Sequence, residues 1–314
     1  MSEIERIIVV TKKTALEELV YRLNSKEQAR FYLEQNQIPF QDYELEDQQY
    51  QQALTSVKRQ LPGELKQQFI EREFLSTYQF DEHDLVVTLG PDGLVINTAK
   101  YLTTQTILAL NPDPRRVDGV LIPFHYEEAR SAVARLRQGR GKVTRLSMVK
   151  AALNDGQVLY GINDLFIGPR THTSARYRLQ LGSQSEAQIS SGIIVSTGAG
   201  CTGWFRSITQ GAWSVASYFG GGGAQPPSSE QLALGWESEQ AWFTVREPFV
   251  SRVSQANLVF GQLQRGQELV ITSQMPENGV IFSDGIESDY LAFPSGFIAR
   301  IGLAERKAHL LVKK

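Results

Sequence analysis

Residues 85–102 read LVVTLGPDGLVINTAKYL. The apolar run 85–89 has the composition of a buried strand, and from Leu94 to Leu102 the residues suit a helix. Gly90, Pro91, Asp92 and Gly93 therefore stand at a strand-to-helix turn, where open α/β sheets bind their ligands. Glycines let a backbone approach phosphate oxygens, a helix N-terminus favours anions, and a carboxylate there can accept a proton or help to hold Mg²⁺. The same four residues also make an ordinary type I turn, with Pro second and Asp and Gly after it. Only the company they keep separates the two readings.

Outward from this junction the first half reads as α/β. Residues 7–10 (IIVV) form another short buried strand, and 14–35 carry apolar residues at helical spacing. Residues 48–72 are polar and glutamine-rich with a break at Pro62, which predicts two exposed helices without chemistry. Strands are predicted at 106–110 and 119–122 and a helix at 126–138. Beyond Lys142 the texture changes to short strands near 158–168, 176–181, 187–195, 241–246, 268–273, 278–282 and 297–312. A chain of 314 residues exceeds what one core usually serves, so two domains are expected, 1–142 and 143–292, with the joint at the basic turn 138–142.

The formal charge of -2, with both signs interspersed, gives no reason to expect nucleic acid or an anionic membrane as the main partner. Cys201 is the only cysteine, which excludes an intrachain disulfide and fits a compartment that keeps thiols reduced. The opening MSEIERIIVV is unlike a signal peptide, so a cytoplasmic protein is expected. The stretch GAWSVASYFGGGG (211–223) is too short and glycine-rich to supply the roughly 20 apolar residues that cross a bilayer. Gly220 to Gly223 read as a loop.

No GxxxxGK[ST] phosphate loop and no GxGxxG after the first strand are present, so a nucleotide would need another cradle. Three further places could supply one. SSGIIVSTGAGCTGW (190–204) runs from a strand into a loop dense in Gly, Ser and Thr, a composition that also suits a tight connection. Cys201 in that loop reads as a small packing residue, since no His is paired with it in sequence. Asn163 and Asp164 stand between apolar runs and could hydrogen-bond a ribose or an adenine edge, or form a turn. Ser283-Asp284-Gly285 is a turn by default.

Taken in order, these pieces resemble the NAD kinases, and the mitochondrial type most. LVVTLGPDGLVINTAKYL stands where that family has a strand, GGDG and a helix, with the Asp retained as Asp92. ILALNPDPRRVDGVL (107–121) resembles the stretch in which an Asn and then Asp-Pro close over the active site; Asn111, Asp113 and Pro114 match. GINDLFIG (161–168) stands where the family has Asn and an acidic residue on the dinucleotide, here Asn163 and Asp164. STGAGCTGW (196–204) is similar to TGTGSTSW, retaining Thr197, Gly198, Gly200, Thr202 and Trp204, and the tail from FSDG, with Asp284, completes the pattern.

The resemblance spans roughly residues 5–313. It implies an NAD kinase-like fold: an α/β N-terminal domain, an all-β, β-sandwich-like C-terminal domain, a segment 293–314 returning to the first domain, and a homodimer or larger assembly. It implies transfer of the ATP γ-phosphoryl, with Mg²⁺, to the 2′-hydroxyl of the adenosine ribose of NAD. Asp92 would be the base, Gly90 and Gly93 would admit the donor phosphates, and Asn111, Asn163, Asp164, Thr197, Gly198, Thr202, Trp204 and Asp284 would hold nucleotide; no residue is assigned to a resident metal. Two departures bear on activity. Pro91 removes one N–H from the phosphate loop. Leu94 stands where the family has Thr, and Cys201 and Gly203 replace small hydroxyl or methyl residues. A kinase for a sugar, lipid or other nucleotide, or a nucleotide-binding sensor, are the alternatives.

Overall fold

The computed structural model describes residues 4–220 and 228–313; Gly221 to Gly223 of the predicted loop lie outside them. The chain divides into two compact units, Met1–Thr144 with His309–Lys314, and Arg145–Ala308.

The first unit is a parallel sheet dressed with helices. In chain order come β1 (Arg6–Thr11), α1 (Ala15–Leu23), α2 (Lys26–Gln35), α3 (Phe40–Gln60), β2 (Lys66–Glu71), β3 (Asp84–Leu89), α4 (Asp92–Ala99), β4 (Thr106–Asn111), β5 (Phe124–His125) and α5 (Ala129–Arg137). The strands lie in the order β2-β1-β3-β4, all parallel, and β5 pairs with the end of β4. On the same edge of β4, His309 and Leu310 pair with Thr106 and Ile107. One face of the sheet packs Ile7, Val9, Leu85, Val87 and Leu108 against Tyr50, Ala53 and Val57 of α3 and Ala129 and Val133 of α5. The chain leaves β1 toward β2 on one side and returns as β3 on the other, so the ends of β1 and β3 flank a topological switch point.

The second unit is two antiparallel sheets over a shared core. Its strands are β6 (Lys142–Leu153), which starts at the joint, β7 (Val158–Gly161), β8 (Asp164–Pro169), β9 (Ala175–Leu181), β10 (Gln184–Ser190), β11 (Ile193–Ser196), β12 (Gln240–Val245), β13 (Phe260–Gln264), β14 (Leu269–Ser273), β15 (Gly279–Ser283), β16 (Ile286–Ala292) and β17 (Ile298–Val312), with α6 (Trp204–Phe219) and α7 (Ser229–Leu232) between β11 and β12. One sheet runs β10-β9-β14-β17, joined by β6 and β7; the other runs β13-β12-β11-β8-β15-β16. Leu165, Ile167, Ile193 and Phe243 from the second meet Tyr177, Leu179, Ile271 and Ile301 from the first. The period-2 alternation puts Phe166, Ile194 and Val280 on the opposite face, where Trp204 and Ile208 of α6 cover them. Among the described residues no helix is long and apolar enough to cross a membrane.

Several local expectations are corrected. The helical region 14–35 is two helices, broken where Asn24 turns left-handed (φ 65°) and Ser25 caps α2. Residues 48–72 hold the end of one helix, α3, and an edge strand, β2, of which only Ile70 is buried. That exposure is why its sequence, KQQFIE, looks polar. No strand forms at 119–122, because the Val120 and Leu121 amides turn to a side chain instead of a ladder. Residues 187–195 split into β10 and β11 at Gly192, whose φ of 113° favours glycine.

Candidate functional site

In the first unit, Asp92 opens α4 directly after β3, as the sequence predicts. Pro91 occupies the N-cap with φ -73°, natural to proline, so it causes no strain there. Pro91 supplies no side-chain hydrogen bond to cap α4. Its positive N-terminal end is therefore available to an anion. Gly93, exposed in the first turn, has neither a positive φ nor any atom within 4 Å of an added Cβ. Fold and packing do not require glycine at that position. Gly90 differs: an added Cβ would come within 2.9 Å of Leu94.

Both oxygens of Asp92 are engaged. Oδ1 accepts the Leu121 N–H and Oδ2 the Val120 N–H, each at 2.9 Å. The loop between β4 and β5 thereby holds the carboxylate in one orientation, while each oxygen keeps a further lone pair. Asn111 organises the same loop, donating to the Val117 carbonyl (2.9 Å) and accepting the Asp113 N–H (2.9 Å). Its carboxamide braces the loop and keeps one N–H and one lone pair beyond these two bonds.

Sequence reasoning missed Tyr50. This buried residue of α3 accepts the Lys12 N–H at 3.0 Å and donates to the Leu89 carbonyl at 3.1 Å, tying the end of β1 to the last residue before Gly90. Its hydroxyl bridges the switch point, and burial pushes its pKa up to about 12, so it stays protonated. The signal was the stripe Tyr50, Ala53, Val57 at helical spacing, which marks an inward face. Tyr50→Phe leaves the Lys12 N–H and Leu89 carbonyl unpaired and is expected to cost about 1–3 kcal/mol in denaturant unfolding.

In the second unit three loops interlock. The Asp284 carboxylate accepts N–H groups from Ile162 (3.1 Å), Asn163 (2.7 Å) and Asp164 (3.2 Å), and its own N–H donates to the Asp164 carbonyl at 3.0 Å. Asp284 (φ 57°) and Gly285 (φ 70°) form the left-handed hairpin turn that Asp-Gly favours. The Thr197 hydroxyl donates to the Ile162 carbonyl and accepts the Ala199 and Gly200 amides. A Cβ on Gly198 would lie 2.2 Å from the Gly235 carbonyl oxygen, and one on Gly200 2.1 Å from that of Asn163. These two glycines and Thr197 thus build the loop.

What they build around is a costly pair. Asp164 is 6% exposed, and its carboxylate makes no hydrogen bond among the described residues. Burial, and then the charge of Asp284, push its pKa up to about 7. The neighbouring Asn163 carboxamide, half-buried, is likewise without a partner among the described residues. Thr202 and Gly198 line a separate cavity of about 200 Å³ with Arg206, Gln210 and Trp213. Trp204 faces away from it and stacks on Phe166. Cys201 is buried, and burial raises its thiol pKa, which makes it a poor nucleophile.

No family profile and no curated protein matches the sequence. Solved structures match the fold. The NADH kinase of yeast, solved with NADH, aligns with a TM-score of 0.57 at 14% identity, over 98% of this chain and 84% of that one. An NAD kinase of Archaeoglobus fulgidus, solved with ATP, gives 0.57 at 15% identity, over 97% and 93%. With its α/β unit, its two-sheet unit and near-complete coverage by both structures, the chain has the NAD kinase fold.

Proposed function

We propose that this protein phosphorylates the adenosine-ribose 2′-hydroxyl of NAD from ATP, giving NADP. The observation that carries the reading is Asp164 beside Asn163: a buried carboxylate without a donor, next to a carboxamide without a partner, among the described residues. A fold retains such a group at a cost in stability, and a ribose diol supplies the donors it lacks.

Asp92 orients the hydroxyl. Its oxygen attacks the γ-phosphorus, the bond from phosphorus to the β,γ-bridging oxygen breaks toward ADP, and the hydroxyl proton passes to the Asp92 carboxylate. In a loose transition state the proton leaves late, so the fixed geometry given by Val120 and Leu121 matters more than basicity. Mg²⁺ would arrive on the triphosphate, and Asp92, in the first turn of α4, could help to hold it there. A cytoplasmic homodimer is part of the proposal.

NADP formation from NAD and Mg·ATP, read with an NADP-specific dehydrogenase, tests the reading. NADP at catalytic turnover supports it. ATP consumed with another ribose or sugar but not with NAD would move the acceptor, and binding without turnover would make the protein a sensor.

Two further outcomes follow from the site. Gly93→Ala is expected to stabilise α4 by about 0.5–1 kcal/mol while raising KM for ATP, because the added methyl enters the space kept for phosphate. A more stable variant with unchanged KM would remove Gly93 from the donor site. Asp164 binds its proton more tightly in the folded chain than in the unfolded one. Its contribution to stability therefore declines as pH rises from about 4 to about 7, and is level above that. Ribose donors favour the charged form, so NAD binding near pH 7 should release protons, measurable by calorimetry in buffers of different ionisation enthalpy. Asp164→Asn should abolish that release and be more stable than wild type at pH 8.

A further inference from the structure

A cleft of about 360 Å³ opens on the outer face of the sheet that contains β8 and β15, served by the face of α6 opposite the Thr202 cavity. Its floor is a run of stacked rings. Phe166 lies 5.7 Å from Trp204 with 16° between planes, and 4.8 Å from Phe282 with 29°. Two guanidinium groups stand on its aromatic walls, Arg246 at 5.3 Å from the Trp204 centroid and Arg170 at 3.9 Å from that of Tyr290. Thr171, His172, Thr173 and Ser191 add polar groups, and Glu287 is the carboxylate on the wall.

A guanidinium lying on a ring keeps its N–H edge free for an oxyanion. Arg246 has only the exposed Glu247 at 3.7 Å, and Arg170 forms no ion pair among the described residues. An apolar, ring-lined floor with two cations above it suits a ligand that is flat at one end and anionic at the other. The volume sits at the low end of small-molecule sites, which fits one nucleotide better than two. Of the residues expected to hold the dinucleotide, only Trp204 lines this cleft.

We propose that the cleft is a second ligand site, for a mononucleotide-sized planar phosphate, with the ring against Trp204, Phe166 and Phe282 and the phosphate between Arg170 and Arg246. The proposal is independent of the kinase reading, since it concerns binding without turnover.

Calorimetric titration with AMP, adenosine and inorganic phosphate tests it, on wild type, Arg170→Ala/Arg246→Ala and Asn163→Ala. AMP should bind, adenosine and phosphate at least tenfold more weakly. The double arginine variant should weaken AMP at the cleft at least tenfold, whereas Asn163→Ala should remove at most the AMP held at the Asn163–Asp164 pair and leave the arginine-dependent binding in place. Arg170→Gln alone, which leaves Arg246 on Trp204, serves should the double variant melt early, and should still lose severalfold. Adenosine binding as tightly as AMP, loss confined to Asn163→Ala, or equal AMP binding by the arginine variants would overturn the proposal and leave the guanidinium groups as shields for the rings.

Discussion

Asp92→Asn should lower kcat for NADP formation by about 10²–10⁴-fold with KM for NAD and ATP nearly unchanged, as expected when a proton acceptor and hydroxyl anchor is lost but binding is not. The substitution has a second consequence. An amide can offer an oxygen to only one of the Val120 and Leu121 N–H groups and must face its NH₂ toward the other. Some loosening of the β4–β5 loop is therefore expected, about 1–3 kcal/mol in denaturant unfolding. A role confined to bracing the loop would give that loss of stability with activity reduced only in proportion to unfolding. Near wild-type kcat in a folded Asp92→Asn would end the case for Asp92 as the base.

The largest effect on stability is expected from Glu186→Leu, at a residue given no part in the proposed chemistry. Glu186 is buried on β10 and accepts N–H groups from Asn257 (3.1 Å) and Leu258 (2.9 Å), the Asn257 carboxamide (3.2 Å) and the Gln188 side chain. Gln188 in turn accepts from Tyr177, which also shares a hydrogen bond with Ser190. Burial alone would raise the Glu186 pKa, but the donors from Gln188, Leu258 and Asn257 outweigh it and hold the carboxyl below its ordinary range. Leucine fills the volume and leaves those donors stranded, at a cost of about 3–5 kcal/mol. Equilibrium denaturation reads it directly. The same balance fixes the pH dependence: the carboxylate contributes fully above the ordinary Glu pKa and is lost as pH falls through the lowered one.

The parts of the fold legible in the sequence were those in which one residue pattern had one physical explanation. IIVV and LVVTL allow little except strands buried on two faces, and Gly-Pro-Asp-Gly after the second forces a turn. Segments went unread where polarity came from exposure at an edge. KQQFIE pairs in parallel with β1 from Arg6 to Thr11, yet shows mostly solvent-facing side chains. Residues 119–122 look like a strand until Asp92, twenty-eight positions before Val120, takes the amides a ladder would have used.

In the candidate site the order of motifs was legible but not the division of labour within them. Thr197 and Gly198 were expected at the ligand; the structure shows that they also build the loop, Thr197 through the Ile162 carbonyl and Gly198 through its close approach to Gly235. That distinction depends on three loops from far-apart sequence positions. Asp164 could be named from sequence, but not its lack of a donor among the described residues. Tyr50 was hidden because its hydroxyl acts on backbone groups at the ends of β1 and β3, which no local pattern announces.

The interlocked loops of the second unit give the site a clock of its own. The amides of Ile162, Asn163 and Asp164 depend on Asp284, and those of Ala199 and Gly200 on Thr197. Hydrogen exchange at these positions should therefore slow or quicken as a group, because one opening event releases them together. Nucleotide that draws Asp164 into hydrogen bonds would lengthen all of their lifetimes at once, a readout of occupancy that requires no turnover.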